Sequence, residues 1–439
     1  MPPPDDPSKP PSTELPWAEP DTLLGMIQRG RGACRPEALA NRARASEYVI
    51  ACIVRDPRWD RQVEERAWLY AALIADLGID LTRCRAAYTR PSDPHGDSDA
   101  WLATDVLALL ARRGVDGAVT ELRHYLRTGR DLDQALAALL PFAEHPEADG
   151  LLDDVLAVAD DEQLAAALAP FGPFDDLSAP PWPDWCRANT RVAEVIALAE
   201  RTRTAHRTPA PDHAAREARD RQRLLTAAVD RKLIDPTAAR DLTEERWETT
   251  LLTLSADLLD STDTPVADRI ALRRSLRTLR SPRTLTWART HAGLHTPVQR
   301  AALSLFAERA EPADAPHLLD LLTTAASPDT HIYTQHDLVT ALGRLHHSPA
   351  APTIEELFDN TVYSYLRTRC ATELSHLTRE FPVSRATECL YDCESRTRAI
   401  GIAHADLFLP EVRDRLAHIG HDPTENDDNR RAAAARINR

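Results

Sequence analysis

Apolar residues recur every three or four positions along most of the chain, in segments closed by Gly, Asp or Pro. This period matches the turn of an amphipathic α-helix, and sustained alternating β-branched runs typical of strands are lacking. The pattern therefore predicts an all-α protein. The predicted helices are Glu37–Val54, Arg61–Leu77, Leu81–Tyr88, Ala100–Arg112, Gly117–Arg127, Leu132–Ala143, Gly150–Ala159, Arg191–Thr202, Ala214–Leu233 and Leu242–Leu259, followed by a repeating series to about residue 420.

The C-terminal half carries a repeat marked by proline. Five prolines each open a short amphipathic segment, at intervals of 34, 36, 30 and 28 residues: Pro282, Pro316, Pro352, Pro382 and Pro410. These intervals are the length of one helix–turn–helix unit, which buries its apolar face only by stacking on its neighbours. The predicted helices between residues 61 and 159 pair at a similar spacing. We therefore expect helical repeats in both halves.

One stretch of this repeat has a recognisable form. Residues 296–306 read Thr-Pro-Val-Gln-Arg-Ala-Ala-Leu-Ser-Leu-Phe, and Ala315–Leu322 follows. This pair resembles a HEAT repeat, in which a Pro or Asp turn, then Val, then Arg leads into an Ala/Leu-rich helix. Asp337–Leu342 lacks the arginine. Three other segments begin in a way that is similar to this repeat: Pro265–Leu272, Leu366–Ala371 and Ser395–Ile400.

The resemblance covers about residues 265–420 and, more weakly, 60–160. It implies a right-handed α-solenoid of antiparallel helix pairs, with inner helices lining a concave surface. Such arrays usually serve as protein-binding scaffolds, whereas some relatives are DNA-repair glycosylases and others handle cofactors. The resemblance thus bears on the fold more than on any activity.

Proline-rich stretches divide the chain into two expected blocks. Pro170–Trp185 holds five prolines, two Trp and two Phe, which predicts a loop packed on a repeat face. That loop either fills a gap between repeats or binds a partner. The expected divisions are a disordered Pro-rich tail at 1–20, an N-terminal repeat block at 21–203, a linker at 204–212, a C-terminal HEAT-like block at 213–421 and a disordered tail at 422–439.

Charge is distributed unevenly along the chain. The formal net charge of −15 disfavours a general nucleic-acid binder, because neutralising phosphates needs clustered cations. Residues 131–180 contain twelve Asp or Glu and no Lys or Arg, whereas residues 265–309 contain nine Arg and only two acids. These regions are either solvated helix faces or docking regions for partners of opposite charge.

The candidate binding residues follow from the basic region. Four arginines with spacings of 4, 4 and 3 residues lie on one face of a helix predicted over 266–280. Such a stripe either grips carboxylates or phosphates, or pairs with acids of the neighbouring repeat. The candidate partner-binding residues are Arg269, Arg273, Arg277, Arg280, Arg283, Trp287, Arg289, Trp182 and Trp185.

No pattern in the sequence indicates catalysis, a metal or a cofactor. Glycine-rich phosphate loops, Gly-x-Ser-x-Gly elbows and His-Glu-x-x-His motifs do not occur. Cys389 and Cys393 lie at helical spacing before His404, but no second close pair completes a tetrahedral site. Asp93–Asp99 fails the EF-hand pattern at its sixth and twelfth positions. We therefore expect no catalytic residues, metal or cofactor, and an enzyme is disfavoured.

These observations together favour a binding protein. The seven scattered cysteines suit a reducing cytoplasm, and no apolar run is long enough to span a membrane. We expect a cytoplasmic, non-catalytic scaffold that binds a macromolecular partner, in the first place a protein, through a concave surface with separate acidic and arginine-rich regions. The alternative is a nucleic-acid-binding solenoid, including a DNA-repair glycosylase type. The sequence leaves open the partner, the oligomeric state and which helices line the concave side.

Overall fold

The computed structural model describes residues 16–89, 100–128, 130–168, 180–206, 213–237, 239, 242–261, 263–293, 297–325 and 332–438. All regular structure in these ranges is helical, which confirms the all-α prediction. None of the helices described is both long enough and apolar enough to cross a membrane.

The α-helices are named in chain order. Those of the first half are α1 Leu23–Arg29, α2 Cys34–Ala40, α3 Arg42–Val54, α4 Arg66–Leu77, α5 Ala86–Thr89, α6 Ala100–Arg112, α7 Ala118–Leu126, α8 Leu132–Leu139, α9 Leu151–Val158, α10 Asp161–Ala167, α11 Trp182–Ala188 and α12 Thr190–His206. Those of the second half are α13 His213–Asp230, α14 Glu244–Asp260, α15 Val266–Thr278, α16 Pro282–His291, α17 Pro297–Arg309, α18 Ala315–Ala325, α19 Ile332–Arg344, α20 Ala351–Asn360, α21 Ser364–Leu377, α22 Arg385–Cys389, α23 Ser395–His404, α24 Pro410–His421 and α25 Asp427–Ile437. Short 3₁₀ helices occupy Leu81–Arg85, Leu140–Phe142, Pro146–Ala148, Pro312–Asp314, Ser348–Ala350 and Phe381–Val383.

Helix boundaries follow local sequence signals. The Thr22 hydroxyl accepts a hydrogen bond from the Gly25 amide (3.1 Å) and caps α1. Gly78 ends α4 in the left-handed conformation, at φ 65°. The predicted helix Leu132–Ala143 stops instead at Leu139 and continues as a 3₁₀ turn, because Pro141 supplies no amide donor. Most elements are thus placed by the sequence, while their ends shift by a few residues.

The described helices form two compact units. Unit 1 is drawn from residues 1–207, 359–371 and 380–439, and unit 2 from residues 208–358 and 372–379. This division differs from the two blocks expected at 21–203 and 213–421. The physical reason is that residues 359–371 and 380–439 pack with the N-terminal helices rather than with the repeats that precede them.

Buried polar contacts join the two ends of the chain inside unit 1. The Cys393 amide donates to the Gly30 carbonyl (3.0 Å), and Gly30 is left-handed with no room for a Cβ atom beside the Cys393 sulfur. Arg367 and Asp392 are both fully buried and form an ion pair, with Nε 2.6 Å from Oδ2. Arg398 is paired in the same way with Glu425. Each of these buried charges thus has a buried counter-ion beside it.

A shared hydroxyl links two further buried carboxyl groups of unit 1. Ser364 Oγ lies 2.7 Å from Glu64 Oε2 and 2.5 Å from Glu394 Oε1. A hydroxyl carries one hydrogen, so two such contacts require one of the carboxyl groups to be protonated. Arg66, paired with Glu64 at 2.8 Å, favours the ionised form of Glu64. Glu394 is therefore the protonated partner, and burial raises its pKa to about 7.

Unit 2 brings the first helices of successive repeats side by side. Helix α15 contacts α17, and α17 contacts α19, while α16 and α18 pack against α17 and α19 respectively. Leu272 and Leu276 of α15, Phe306 of α17 and Leu338 of α19 are buried. One face of this helix row is therefore formed jointly by α15, α17 and α19.

The C-terminal segment differs from the expected disordered tail at 422–439. Residues 427–437 form α25, which begins at the cap Asn426 and packs against α24. Ala433 is fully buried, so the alanine run serves as a close-packing surface rather than a frayed end. Residues 1–15, 170–179 and 207–212, within the expected N-terminal tail, loop and linker, lie outside the described residues.

Candidate functional site

Helix α15 exposes a mixed apolar and basic face in unit 2. Val266, Ile270, Arg273 and Arg277 follow one another at spacings of 4, 3 and 4 residues, which places them along one side of the helix. Val266 is 62% exposed and Ile270 43% exposed, whereas Leu272 on the other side is buried. Of the four arginines predicted to form one stripe, Arg269, Arg273 and Arg277 lie on α15, whereas Arg280 lies beyond its end at Thr278. The face with Arg273 and Arg277 also carries exposed apolar side chains.

This face borders a recess of about 180 Å³ formed by α15, α17 and α19. Its polar and aromatic lining comes from Arg273 and Arg277 of α15, Arg300 of α17, and Tyr333, His336 and Asp337 of α19. The Arg300 guanidinium lies 5.0 Å from the ring centre of Tyr333, and Tyr333 is 38% exposed. We call this surface, together with Val266 and Ile270, the arginine recess.

The arginine recess is lined by more guanidinium groups than carboxylates. Among the residues that the structure describes, neither Arg273 nor Arg277 has a carboxylate oxygen within 4.0 Å. Burial lowers the pKa of Arg273, and the neighbouring charges of Arg300 and Arg269 lower it further. Arg269 is half-buried and likewise lacks a carboxylate within this distance in the described part of the chain. An anion held between these guanidinium groups would relieve their mutual repulsion.

Three other candidate arginines are paired with acids of neighbouring helices. Arg280 contacts Glu308 at 3.2 Å, and Arg283 contacts Glu245 at 2.6 Å. Arg289 lies 2.8 Å from both Glu311 and Asp314, and these hydrogen bonds raise its pKa. For these three residues the geometry supports pairing with acids of neighbouring repeats rather than binding of a ligand. They contribute little net charge to a binding surface.

The tryptophans proposed for partner binding lie elsewhere. Trp287 stacks on His291, with ring centres 4.7 Å apart, and does not line the arginine recess. Trp182 and Trp185 belong to unit 1, where they pack edge to face at 5.3 Å. Trp182 is only 3% exposed and is part of the core of that unit. Its side chain therefore supports packing rather than contact with a partner.

Part of the acidic region is engaged within unit 1. Asp154 is bound by Arg123 at 2.7 Å and Arg127 at 2.9 Å. Burial raises the pKa of Asp154, but hydrogen bonds from these two arginines outweigh it, so the pKa is lowered overall. Glu147 accepts hydrogen bonds from the backbone amides of Gly117 and Thr120. These acids hold neighbouring helices together.

A larger cleft of about 940 Å³ lies on the other side of α15, next to α13 and α14. Its charges pair with one another: Arg274 contacts Asp220 at 3.3 Å, and Arg221 contacts Glu244 at 2.8 Å. Arg277 lines both this cleft and the arginine recess. The cleft therefore provides volume but little unneutralised charge. The arginine recess is the site whose charge favours one class of ligand, namely anions.

The contribution of α19 to the recess was missed by sequence reasoning. The sequence marked neither Tyr333 nor His336 as a candidate, and Asp337 entered only as the start of a repeat that lacks the arginine. The available signal was their place in the repeat, because Arg300 and Tyr333 both lie in the first turn of successive first helices. Equal positions in adjacent repeats are neighbours in space once the helices pack side by side.

Metal binding finds no support in the described ranges. They contain no group of three or more His, Cys, Asp or Glu side chains arranged to hold a metal ion. Cys389 and Cys393 are fully buried, and burial raises the pKa of both thiols well above the usual value. A metal ligand must be the thiolate, which this environment disfavours. The segment Asp93–Asp99 lies outside the described residues.

Comparison of the chain with models of protein families, with curated proteins and with solved structures gave no match, so the residues of the site are the basis for a function.

Proposed function

We propose that the chain is a non-catalytic, cytoplasmic scaffold of HEAT-like helical repeats, and that it binds an acidic segment of a partner protein at the arginine recess. The observation that carries this proposal is the pair Arg273 and Arg277, which have no carboxylate within 4.0 Å among the described residues and lie beside exposed apolar side chains. In the proposed solenoid, α15, α17 and α19 are inner helices, and the recess is part of the concave surface.

The chemistry of the recess favours a segment that combines carboxylates with apolar side chains. Arginine binds carboxylates through two parallel hydrogen bonds, and such charge-assisted bonds are about twice as strong as neutral ones. Val266, Ile270 and Tyr333 offer apolar anchors next to these donors. Interfaces typically take their energy from a few such aromatic and arginine positions. The arginine donors and the apolar anchors both lie within one helix row of unit 2.

The nucleic-acid alternative has weaker support. Sequence-independent binding to nucleic acid needs several cations that neutralise successive phosphates. Arg280, Arg283 and Arg289, which would extend the basic stripe, already pair with carboxylates. Trp287, the aromatic candidate for base stacking, packs on His291 away from the recess.

The test is an affinity capture from the native cell extract, followed by titration of the purified partner. The recess variant Arg273→Glu/Arg277→Glu is compared with the control Arg280→Glu/Arg283→Glu, which makes the same change in charge at arginines that are already paired. Each lost charged hydrogen bond is worth about 1.5–3 kcal/mol, so we expect the recess variant to lower affinity by at least about tenfold. The control variant should change affinity by less than about threefold, as for exposed pairs.

Two outcomes would overturn the proposal. If both variants bind the partner equally, the recess is not the docking surface. The other outcome is capture of nucleic acid that nuclease removes. If the logarithm of its binding constant also falls linearly with the logarithm of the salt concentration, the chain is a nucleic-acid-binding protein.

A further inference from the structure

Unit 1 contains a cavity that the proposed scaffold function does not use. Its volume is about 420 Å³, and it lies between α4 and α24, with Tyr391 and Arg113 at its sides. Leu69, Ala72 and Leu73 of α4 form an apolar wall. This volume is in the range of pockets that bind small molecules, which are mostly apolar with a few well-placed polar groups. All of its lining residues belong to unit 1.

Arg415 is the unusual residue of this cavity. It is 8% exposed, and its guanidinium lies 4.5 Å from the ring centre of Tyr391 and 5.3 Å from that of Trp68. Its Nε donates to the Leu390 carbonyl at 3.1 Å. In the described part of the chain, its two terminal nitrogens have no hydrogen-bond partner and no carboxylate lies within 4.0 Å. Burial lowers its pKa to about 10.

The other buried arginines of unit 1 show what is missing at Arg415. Arg66, Arg367 and Arg398 each pair with a buried carboxylate. Arg29 instead donates to three backbone carbonyls. A buried charge is normally compensated in one of these two ways, because leaving water otherwise costs several kcal/mol. Among the described residues, Arg415 has a single carbonyl contact, and it faces a cavity.

Two further donors lie along the same cavity. Trp68 Nε1 and Arg113 Nη1 are buried and have no hydrogen-bond partner among the described residues. Arg113 is otherwise held by Asp422, with Nη2 2.9 Å from Oδ2. Buried donors of this kind are rare in folded proteins, and each one calls for a partner. Three residues with unsatisfied donors therefore line a cavity that is also lined by the apolar side chains Leu69, Ala72 and Leu73.

We propose that this cavity binds a small organic monocarboxylate, with its carboxylate against the Arg415 guanidinium and its apolar part against Leu69 and Leu73. Arginine is suited to this role, because its planar fork matches a carboxylate. The apolar wall and the limited volume select a compact aliphatic or aromatic body.

The surrounding charges favour a single negative charge on the ligand. Asp76 already pairs with Arg35 at 2.9 Å, and Asp422 pairs with Arg113. Glu411 and Asp414 are exposed at the rim of the cavity and would repel a polyanion. Arg415 is thus the one arginine of this lining without a carboxylate within 4.0 Å among the described residues, and the rim carboxylates would repel a phosphate dianion more strongly than a monocarboxylate.

The probes for the test are octanoate and benzoate, with octanol and methyl benzoate as neutral controls and inorganic phosphate as the other oxyanion. Binding to the full-length protein is measured by calorimetry and by the shift in thermal midpoint. We expect at least one carboxylate to bind and raise the midpoint, while its neutral control and phosphate do not. Equal binding of acid and neutral control, binding of phosphate alone, or no binding of either carboxylate at millimolar concentration would overturn the proposal.

Variants locate the site. Arg415→Met keeps most of the side-chain volume and should raise Kd by about 10- to 150-fold, the range for loss of a charged hydrogen bond. Trp68→Phe keeps the aromatic packing and should raise Kd by about two- to tenfold. Arg413→Ala, on the exposed side of the same helix, should leave Kd unchanged.

The arginine variant also keeps the test independent of folding. Because it replaces an uncompensated buried charge with an apolar group, Arg415→Met should be at least as thermally stable as the wild type. A stable Arg415→Met variant that binds the carboxylate as tightly as the wild type would refute the site.

Discussion

The ion pair between Arg367 and Asp392 should be a main determinant of the stability of unit 1. Both side chains are fully buried, and two nitrogens of Arg367 contact the two oxygens of Asp392 at 2.6 and 3.3 Å. Arg367 also donates to the Gly30 carbonyl at 3.3 Å, across more than 300 residues of sequence. The informative perturbation is Arg367→Met, which removes the charge while keeping most of the volume.

The expected cost follows from what remains after the change. Asp392 would keep one backbone hydrogen bond, from the Glu394 amide at 2.9 Å, and would otherwise be a buried charge without a counter-ion. Breaking a buried pair in this way costs about 3–5 kcal/mol. The exposed pair of Arg431 and Asp428 provides a matched control, and its loss in Arg431→Met should cost less than about 1 kcal/mol.

The assay is urea unfolding followed by circular dichroism, together with calorimetry to separate the transitions of the two units. We expect Arg367→Met to lower the free energy of unfolding in one transition by about 3–5 kcal/mol. The double variant Arg367→Met/Asp392→Asn should recover a large part of this loss, because no charge then remains unpaired. A loss below about 1 kcal/mol in the single variant, or no recovery in the double variant, would refute the reasoning.

Three further predictions address other features of unit 1. Because burial raises the pKa of Glu394 to about 7, above its usual 4.5, wild-type stability should decline as pH rises from about 4.5 to 7, and Glu394→Gln should lack this component in unfolding measured from pH 4 to 8. Gly32→Ala would place a Cβ atom 2.2 Å from the Glu388 carbonyl oxygen and should lower the free energy of thermal unfolding by about 1–3 kcal/mol. Gly78→Ala meets no neighbouring atom but keeps φ at 65°, so it should cost about 1 kcal/mol. Equal costs for the two variants would contradict this reasoning. Cys186 is half-buried and the other six thiols are buried, so Ellman's reagent should label about one thiol rapidly in the native protein and all seven in guanidinium; rapid native labelling of several would contradict the packing.

The candidate site was partly readable from the sequence. The spacing of Arg269, Arg273 and Arg277 placed them on one helix face, because side-chain direction along a helix depends only on position. Which arginines remain unpaired was not readable. Arg280 and Arg289 find their acids about one repeat away, at Glu308 and Asp314, and that pairing depends on how neighbouring helices are placed.

The sequence by itself determined the helical class and most helix positions. Helical period, caps and breakers act within a few residues, so they can be read directly: α6 has the predicted bounds Ala100–Arg112, and α15 lies where the stripe required a helix. The alanine-rich end was misjudged as a tail, because α25 is held by packing against α24 rather than by an apolar stripe of its own.

Only the tertiary structure decided how the ends of the chain meet and which charges they bury. The pairing of Arg367 with Asp392, the contact of Glu64 with Ser364, and the burial of Arg415 with no carboxylate within 4.0 Å among the described residues depend on contacts between segments distant in sequence. No local pattern distinguishes an arginine that will be buried from one that will be solvated, because the side chain is the same in both. Its chemistry is set by the partners and the solvent that folding places around it.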